Sequence, residues 1–427
     1  MATAQTPLDE LGGFMVANTA VDPVIVSGSG ATVTDEEGRV YIDLEAGPGV
    51  VSVGHCHPHV VAAIRDQAGR LMQSPGRFHS RLSLTLVQRL SDLTGGHLKR
   101  AFIANSGAEA NDGAIKIALK HAVRSGKEGL SIFAFDHGFH GRTSVGLSLS
   151  GLAGRKRGFG QYASFPGIVH LPAPYLYRHG ERDYFGEIEL AMKTRVAGDA
   201  AILISEPIWC VGGVFAPPKD FWPRVAELCR KNGITLIFDE VFGGFGRTGR
   251  MFSHEHFGVR PDIMTFAKAI GGGLPLAGYI ATEEVGSALV VGDHFTTFGT
   301  NNQVGIAAGH AVLDVLEKEQ LPARAARGGE RFLAGLERLK AQHPAIGDVR
   351  GFGLMIGVEL VKDRTTREPA PELAKAVQAQ MLQRGVLASL TGIYGCVLRI
   401  TPPLVISDDQ IDQSVRVIGE ALEAATA

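Results

Sequence analysis

Seven short apolar runs between residues 100 and 282 constrain this chain more than any other feature. They are Arg100–Asn105, Leu130–Asp136, Gly167–Leu171, Ala201–Pro207, Ile234–Glu240, Asp262–Ala267 and Leu276–Thr282. Stretches with helical spacing separate several of them, notably Gly107–Val123 and Asp220–Lys231. Strands without polar alternation are buried on both faces. The pattern therefore predicts an α/β fold with a mostly parallel sheet covered by helices. Ligands in such sheets sit beyond the carboxyl ends of the strands. Asn105, Asp136, Glu206, Asp239 and Lys268 fall there.

The flanking segments read differently. ATVTD and RVYIDL alternate apolar and polar residues around an EEG turn, which predicts a hairpin before residue 45. The Gly28–Gly30 stretch is no dinucleotide fingerprint, because no helical pattern follows it. Pro58 opens a helix with Val60, Val61, Ile64 and Ala68 at helical spacing. A long helical region runs from about Gly305 into the 340s, followed by a smaller α+β unit holding GLMIGVEL and VLRITPPL. Ser407 and Gln410 form a capping box for a final amphipathic helix. The expected division is an arm and part of a small domain over 1–57, a large domain over 58–310 and a small domain over 311–427.

Composition excludes several classes. A formal net charge of -2 gives no electrostatic case for nucleic acid or a membrane surface. No apolar stretch approaches the roughly 20 residues of a membrane span. Four scattered cysteines, Cys56, Cys210, Cys229 and Cys396, argue against a disulfide framework and a zinc site. His55-Cys56-His57 is no metal site either, since adjacent side chains on an extended segment point apart. His137 and His140 have no acid or cysteine at ligand spacing. A cytoplasmic enzyme is the expectation.

The chemistry gathers between Ile234 and Lys268. Lys268 ends one apolar run, where partial desolvation lowers an amine's pKa and makes it a usable nucleophile toward an aldehyde. Asp239 ends another, where a carboxylate can keep a pyridine nitrogen protonated. Asn105–Ala110, NSGAEA, joins a strand to a helix start, and its free N–H groups suit a phosphate. Phe139, in FDHGFHGRT, offers a ring to stack on a flat heterocycle. Together these residues predict bound pyridoxal 5'-phosphate.

The segments NSGAEAN, FHGRT, SEP, FDEVFGGFGRTG, TFAKAIGGGLPLAG, TTFGTNN and LRITPPL, in this order from about Val24 to the last helix, resemble the class III aminotransferases of fold type I. The resemblance implies a seven-stranded, mostly parallel sheet and a small domain from both chain ends. It implies that Lys268 forms the Schiff base and shuttles the substrate proton, while Asp239 holds the ring nitrogen. Phe139 and the adjoining His140 would lie against the ring, Ser106, Gly107 and Ala108 would bind phosphate, and Glu206 would sit near the ring hydroxyl. Thr297 matches a threonine that reaches the partner subunit's phosphate, so a homodimer with shared sites is the minimum assembly. Arg399 matches the arginine that receives a substrate carboxylate. The activity implied is ping-pong transfer of an amino group from an amino acid or amine to an α-keto acid.

The chain departs from that family in three places. Phe242 replaces a glutamine that bonds the ring oxygen. Val211 replaces a glutamate that masks the carboxylate-binding arginine, so Arg399 is expected to stay available. Asn302 stands where many members carry proline. LPAPYLYR and VELVKDRTTREPA are similar to dialkylglycine decarboxylases, but Pro48 occupies the place of a glutamine those enzymes use. Decarboxylase, lyase and epimerase chemistry are the alternatives on this scaffold. Trp209 and Arg77, the latter in SPGRFHSR, are further candidate substrate contacts.

Overall fold

All seven apolar runs form strands of one sheet. The structure is a computed structural model that describes residues 23 to 426, apart from 77, 79, 197, 294, 295 and 297. The chain begins with β1 (Ile25–Ser29), β2 (Thr32–Asp35) and β3 (Val40–Asp43). The central strands are β4 (Arg100–Ala104), β5 (Ser131–Phe135), β6 (Ile168–Leu171), β7 (Ala200–Ser205), β8 (Thr235–Asp239), β9 (Ile263–Phe266) and β10 (Ala277–Ala281). Their order across the sheet is β4-β10-β9-β8-β7-β5-β6. Only β10 runs against its neighbours; the pairs from β9 to β6 are parallel.

The inner strands β5, β7, β8, β9 and β10 are buried on both faces because alternate residues meet different partners. Ile132, Ile202, Ile204 and Ile237 pack on Ala114, Ile115 and Ala118 of helix Gly107–Arg124. Phe133, Phe135, Leu203 and Phe238 pack on the other side with Trp209, Trp222 and Val225. Each such side chain contributes about 2 kcal/mol on leaving water, enough for burial to override the polar alternation of an exposed sheet.

The remaining strands are β11 (Ile346–Phe352), β12 (Met355–Asp363), β13 (Glu368–Pro369), β14 (Val386–Leu387), β15 (Ser389–Thr391) and β16 (Val397–Ile400). The expected hairpin is β2-β3. β14 pairs in parallel with β3, so the two ends of the chain share a sheet. β11-β12-β16-β15 form another, with β13 on β12. The Ser407–Gln410 capping box is present, with Ser407 N donating to Gln410 Oε1 at 3.0 Å and Gln410 N to Ser407 Oγ at 3.2 Å.

The structure divides the long helical region. The region from Gly305 into the 340s is two helices, Gln303–Lys318 and Leu321–Gln342. Gln320 adopts φ 51° between them, and Pro322 sits in the first turn of the second. Proline has no N–H to continue the ladder, so the chain restarts there. Among the described residues no helix is long and apolar enough to cross a membrane. None of their His, Cys, Asp and Glu side chains form a group of three or more fit to hold a metal.

Arg247, from the glycine-rich FGRTG stretch, is fully buried and ties three segments together. Nη1 donates to Leu354 O at 3.0 Å and Pro402 O at 2.5 Å, and Nη2 to Ser52 Oγ at 3.1 Å. Replacing it leaves those acceptors dry and unmet, which costs about 3 kcal/mol. Arg247→Ala is expected to lower the denaturation midpoint clearly; an unchanged midpoint would show that these bonds add nothing net.

Candidate active site

A cavity of about 410 Å³ opens at the carboxyl end of the central sheet. That volume lies within the range of small-molecule pockets. Ser106, Phe139, Glu206, Asp239, Phe242 and Lys268 line it. The parallel strands deliver them to one edge: Ser106 follows β4, Phe139 β5, Glu206 β7, Asp239 ends β8 and Lys268 follows β9.

Asp239 is 3 % exposed and met on both oxygens. His140 Nδ1 lies 2.8 Å from Oδ2, Asn111 Nδ2 donates to the same oxygen at 2.8 Å, and the Val241 N–H reaches Oδ1 at 3.0 Å. Burial pushes the carboxyl upward, but the His140 bond and charge with the two amide donors outweigh it. Its pKa falls below the ordinary value. Thr265 Oγ1 donates to Asn111 Oδ1 at 2.8 Å, and Asn111 also holds His140 O at 2.8 Å. Glu240 faces elsewhere: it is buried against Ser253 Oγ and the His254 N–H at 2.6 and 2.8 Å.

Glu206 accepts from the Phe139 N–H and the Cys210 N–H, both at 3.0 Å. Burial and the nearby Asp239 charge push it up to about 7, so it holds a proton just below neutrality. The Lys268 backbone has φ 48°, a conformation of about 1–3 kcal/mol strain for a non-glycine residue and common at working sites. Burial pushes its ammonium down to about 8. Its Nζ lies 4.1 Å from the centroid of the Phe242 ring.

The turn before helix Gly107–Arg124 is a cradle. Glu109 Oε2 takes the N–H groups of Asn105 and Ser106 at 2.7 and 3.2 Å, and Ser106 Oγ takes that of Glu109 at 3.2 Å. The Gly107 and Ala108 N–H groups belong to the first turn, where no helical carbonyl precedes them. A Cβ on Gly107 would fall 2.8 Å from Val241, so only glycine allows this close approach.

Two expected residues, Trp209 and Arg399, do not line the cavity. Trp209 is the clear correction: it is fully buried, stacked on Phe215 and Trp222 at 5.1 and 5.6 Å, and does not line the cavity. The bridge between Trp209 and Phe215 turns its indole into the aromatic core. Among the described residues Arg399 forms no ion pair, and Val211 lines the cavity, yet the arginine is only 8 % exposed. Arg77 and Thr297 lie outside the described residues. Sequence reasoning missed Asn111, Thr265 and Arg142. Asn111 was legible as the residue one turn beyond Gly107, facing the same edge. Arg142 lines the cavity, 5.4 Å from the Phe139 ring centroid.

The residues present fit pyridoxal phosphate. His140 Nε2 is a buried nitrogen without a partner, the Gly107 cradle would be filled by a Cβ, and an amine and a stabilised carboxylate share one cavity. Known proteins agree. The model of the family Aminotransferase class-III matches residues 15–422. The chain is 41% identical to the acetylornithine aminotransferase of Methanothermobacter thermautotrophicus, covering 96% of each. It is 37% identical to a probable 4-aminobutyrate aminotransferase of Bacillus subtilis, covering 93% of this chain and 92% of that one. An (S)-enantioselective omega-transaminase from Thermomicrobium roseum matches with a TM-score of 0.91 and 33% identity over 100% of both chains. The omega transaminase of Pseudomonas jessenii in complex with PMP matches at 0.93 and 27% identity, over 99% and 98% of the two chains. The chain belongs to the class III aminotransferases, with their fold type I architecture. It is an enzyme that moves amino groups with pyridoxal 5'-phosphate as its cofactor.

The lowered pKa of Lys268 sets a pH dependence. Burial disfavours the ammonium, so the nucleophilic amine grows in as pH rises through about 8. Covalent uptake of pyridoxal phosphate by the apo-protein, followed by visible absorbance, should accelerate through that pH and then level off. A rate flat from below to above it would contradict this reading.

Proposed function

We propose that the cavity takes an α-keto acid and an amino donor in turn, with Lys268 as the group that bonds the cofactor and carries the proton. Lys268, Arg142 and Arg399 carry this reading. Among the described residues none of the three has a carboxylate within ion-pair distance, so the site is set up for anions. When bound, pyridoxal phosphate supplies an aldehyde for the amino group and a ring that accepts electron density from the substrate carbon. Asp239, held ionised by His140 and Asn111, would keep a proton on a basic ring nitrogen. Ser106 and the Gly107 and Ala108 N–H groups would hold phosphate, Phe139 would cover a ring face, and Glu206 would donate toward a ring oxygen. Lys268, neutral above about pH 8, is the base that takes the proton from the substrate carbon.

The donor is an amine several carbons from an anionic group. Acetylornithine and 4-aminobutyrate, the compounds in two relatives' names, have that form. Arg142 suits the distant anion and Arg399 the carboxylate beside a keto group. Transamination stands ahead of decarboxylation here because the apolar Val50 and Val211 line the wall and supply no donor to a departing carboxylate.

The assembly we infer is a homodimer. Leu71, Met72, Phe78, Leu84 and Phe298 are exposed by 46 to 67 %. Their segments form one face, because Ser74 N donates to Asn301 O at 2.9 Å and Gln303 N to Met72 O at 3.0 Å. Asn302 Nδ2 joins that face to Pro275 O, on the cavity rim, at 3.3 Å. A second copy covers this apolar face and completes the phosphate end with Thr297. Four free thiols, three of them buried, fit the reducing cytoplasm.

A panel of amino donors with pyruvate and 2-oxoglutarate should show turnover only when a keto acid is present, and Lys268→Ala should abolish it. Ammonia release without an acceptor would point to a lyase instead. Sedimentation should give a dimer, and Phe298→Glu should shift it toward monomer; a monomeric native protein would overturn the shared site.

A further inference from the structure

Arg399 is built for an anion and screened from one. Its Nη2 donates to Ser389 Oγ at 2.8 Å, while its buried Nε has no hydrogen-bond partner. Glu45 senses its charge without pairing to it. A guanidinium left with an unused donor in a dry site awaits an acceptor.

Phe242 packs against that guanidinium. Its ring centroid lies 5.3 Å from the Arg399 guanidinium carbon and 4.1 Å from Lys268 Nζ. Phe242 lines the cavity and Arg399 does not. The ring has its place because residue 49 is glycine at φ 77°: a Cβ there would come within 3.0 Å of the ring's Cζ. One aromatic side chain thus serves as the neutral partner of two cations.

We propose that Phe242 is a gate on Arg399 and a specificity-determining residue for both half-reactions. With the ring in place the wall is apolar and accepts a donor that has no carboxylate beside its amine. With the ring turned aside the guanidinium faces the cavity and takes the carboxylate of an α-keto acid. A paired carboxylate outcompetes a ring face, because charge-assisted bidentate bonds are stronger than cation–π contact. A carboxylate therefore opens the gate and an uncharged substituent leaves it shut. The idea rests on the reading that Arg399 is the carboxylate receptor.

The test uses the cofactor-loaded enzyme with Phe242→Ala, which removes the cover, and Phe242→Leu, which keeps bulk without a π face. Phenylglyoxal labelling of Arg399, read by peptide mass mapping, should be about tenfold faster in the alanine variant and intermediate in the leucine variant. KM for pyruvate should fall in the alanine variant, while KM for 1-phenylethylamine, an amine without a carboxylate, should rise. Labelling of Arg399 at the native rate, or KM values that move together, would overturn the gate. Arg399→Lys tells the two ideas apart: if the pyruvate KM does not change, the carboxylate assignment itself fails.

Discussion

A carboxylate taken out of water must be met by donors, and in this protein Asp239 sets that demand. It ends a central strand of the sheet, almost wholly buried at the cavity wall, so it is stable only where other segments bring hydrogen-bond donors to it. Those donors come from separate parts of the chain: His140 from the loop after β5, Asn111 from the helix after β4, and the Val241 amide from the turn after β8. Thr265, on β9, then fixes Asn111, and the strand that carries Thr265 also delivers Lys268. The bond network that keeps Asp239 ionised is thus the same one that sets its spacing from Lys268.

Charge is distributed unevenly around that centre. The acids Asp239 and Glu206 are each met by protein donors and lie at the carboxyl edge of the sheet. The cations Lys268, Arg142 and Arg399 instead meet aromatic faces, Phe242 for two of them and Phe139 for the third. An aromatic face stabilises a cation without neutralising it. The cavity therefore keeps its attraction for anions while its positive groups stay out of free water.

Much of this was legible beforehand because period and polarity act locally. The seven central strands announced themselves as unbroken apolar runs, and the Ser407–Gln410 capping box was readable from residues three apart. The β1 strand was not, since Ile25 and Val26 lie on an exposed edge where no burial pattern is imposed. The break at Gln320 was underestimated because helical spacing continues through it, and only Pro322 marked the restart. Trp209 was misplaced for a related reason. A tryptophan in a loop after a strand can face a cavity or a core, and only the pairing of Trp209 with Phe215 turns it inward.

The sequence by itself determined the sheet, the placing of Asp239 and Lys268 at the ends of two of its strands, and the family, because strand ends and glycine turns are encoded within a few residues of one another. Tertiary structure alone decided what surrounds that pair. Asn111 and Thr265, distant in sequence, meet at Asp239 only because β4, β8 and β9 close into one sheet. Arg399 looked open in sequence once Val211 stood in place of a glutamate. It is covered because Phe242, from an unrelated segment, fills the space that Gly49 leaves. Long-range packing sets side-chain access, and no local pattern carries that information.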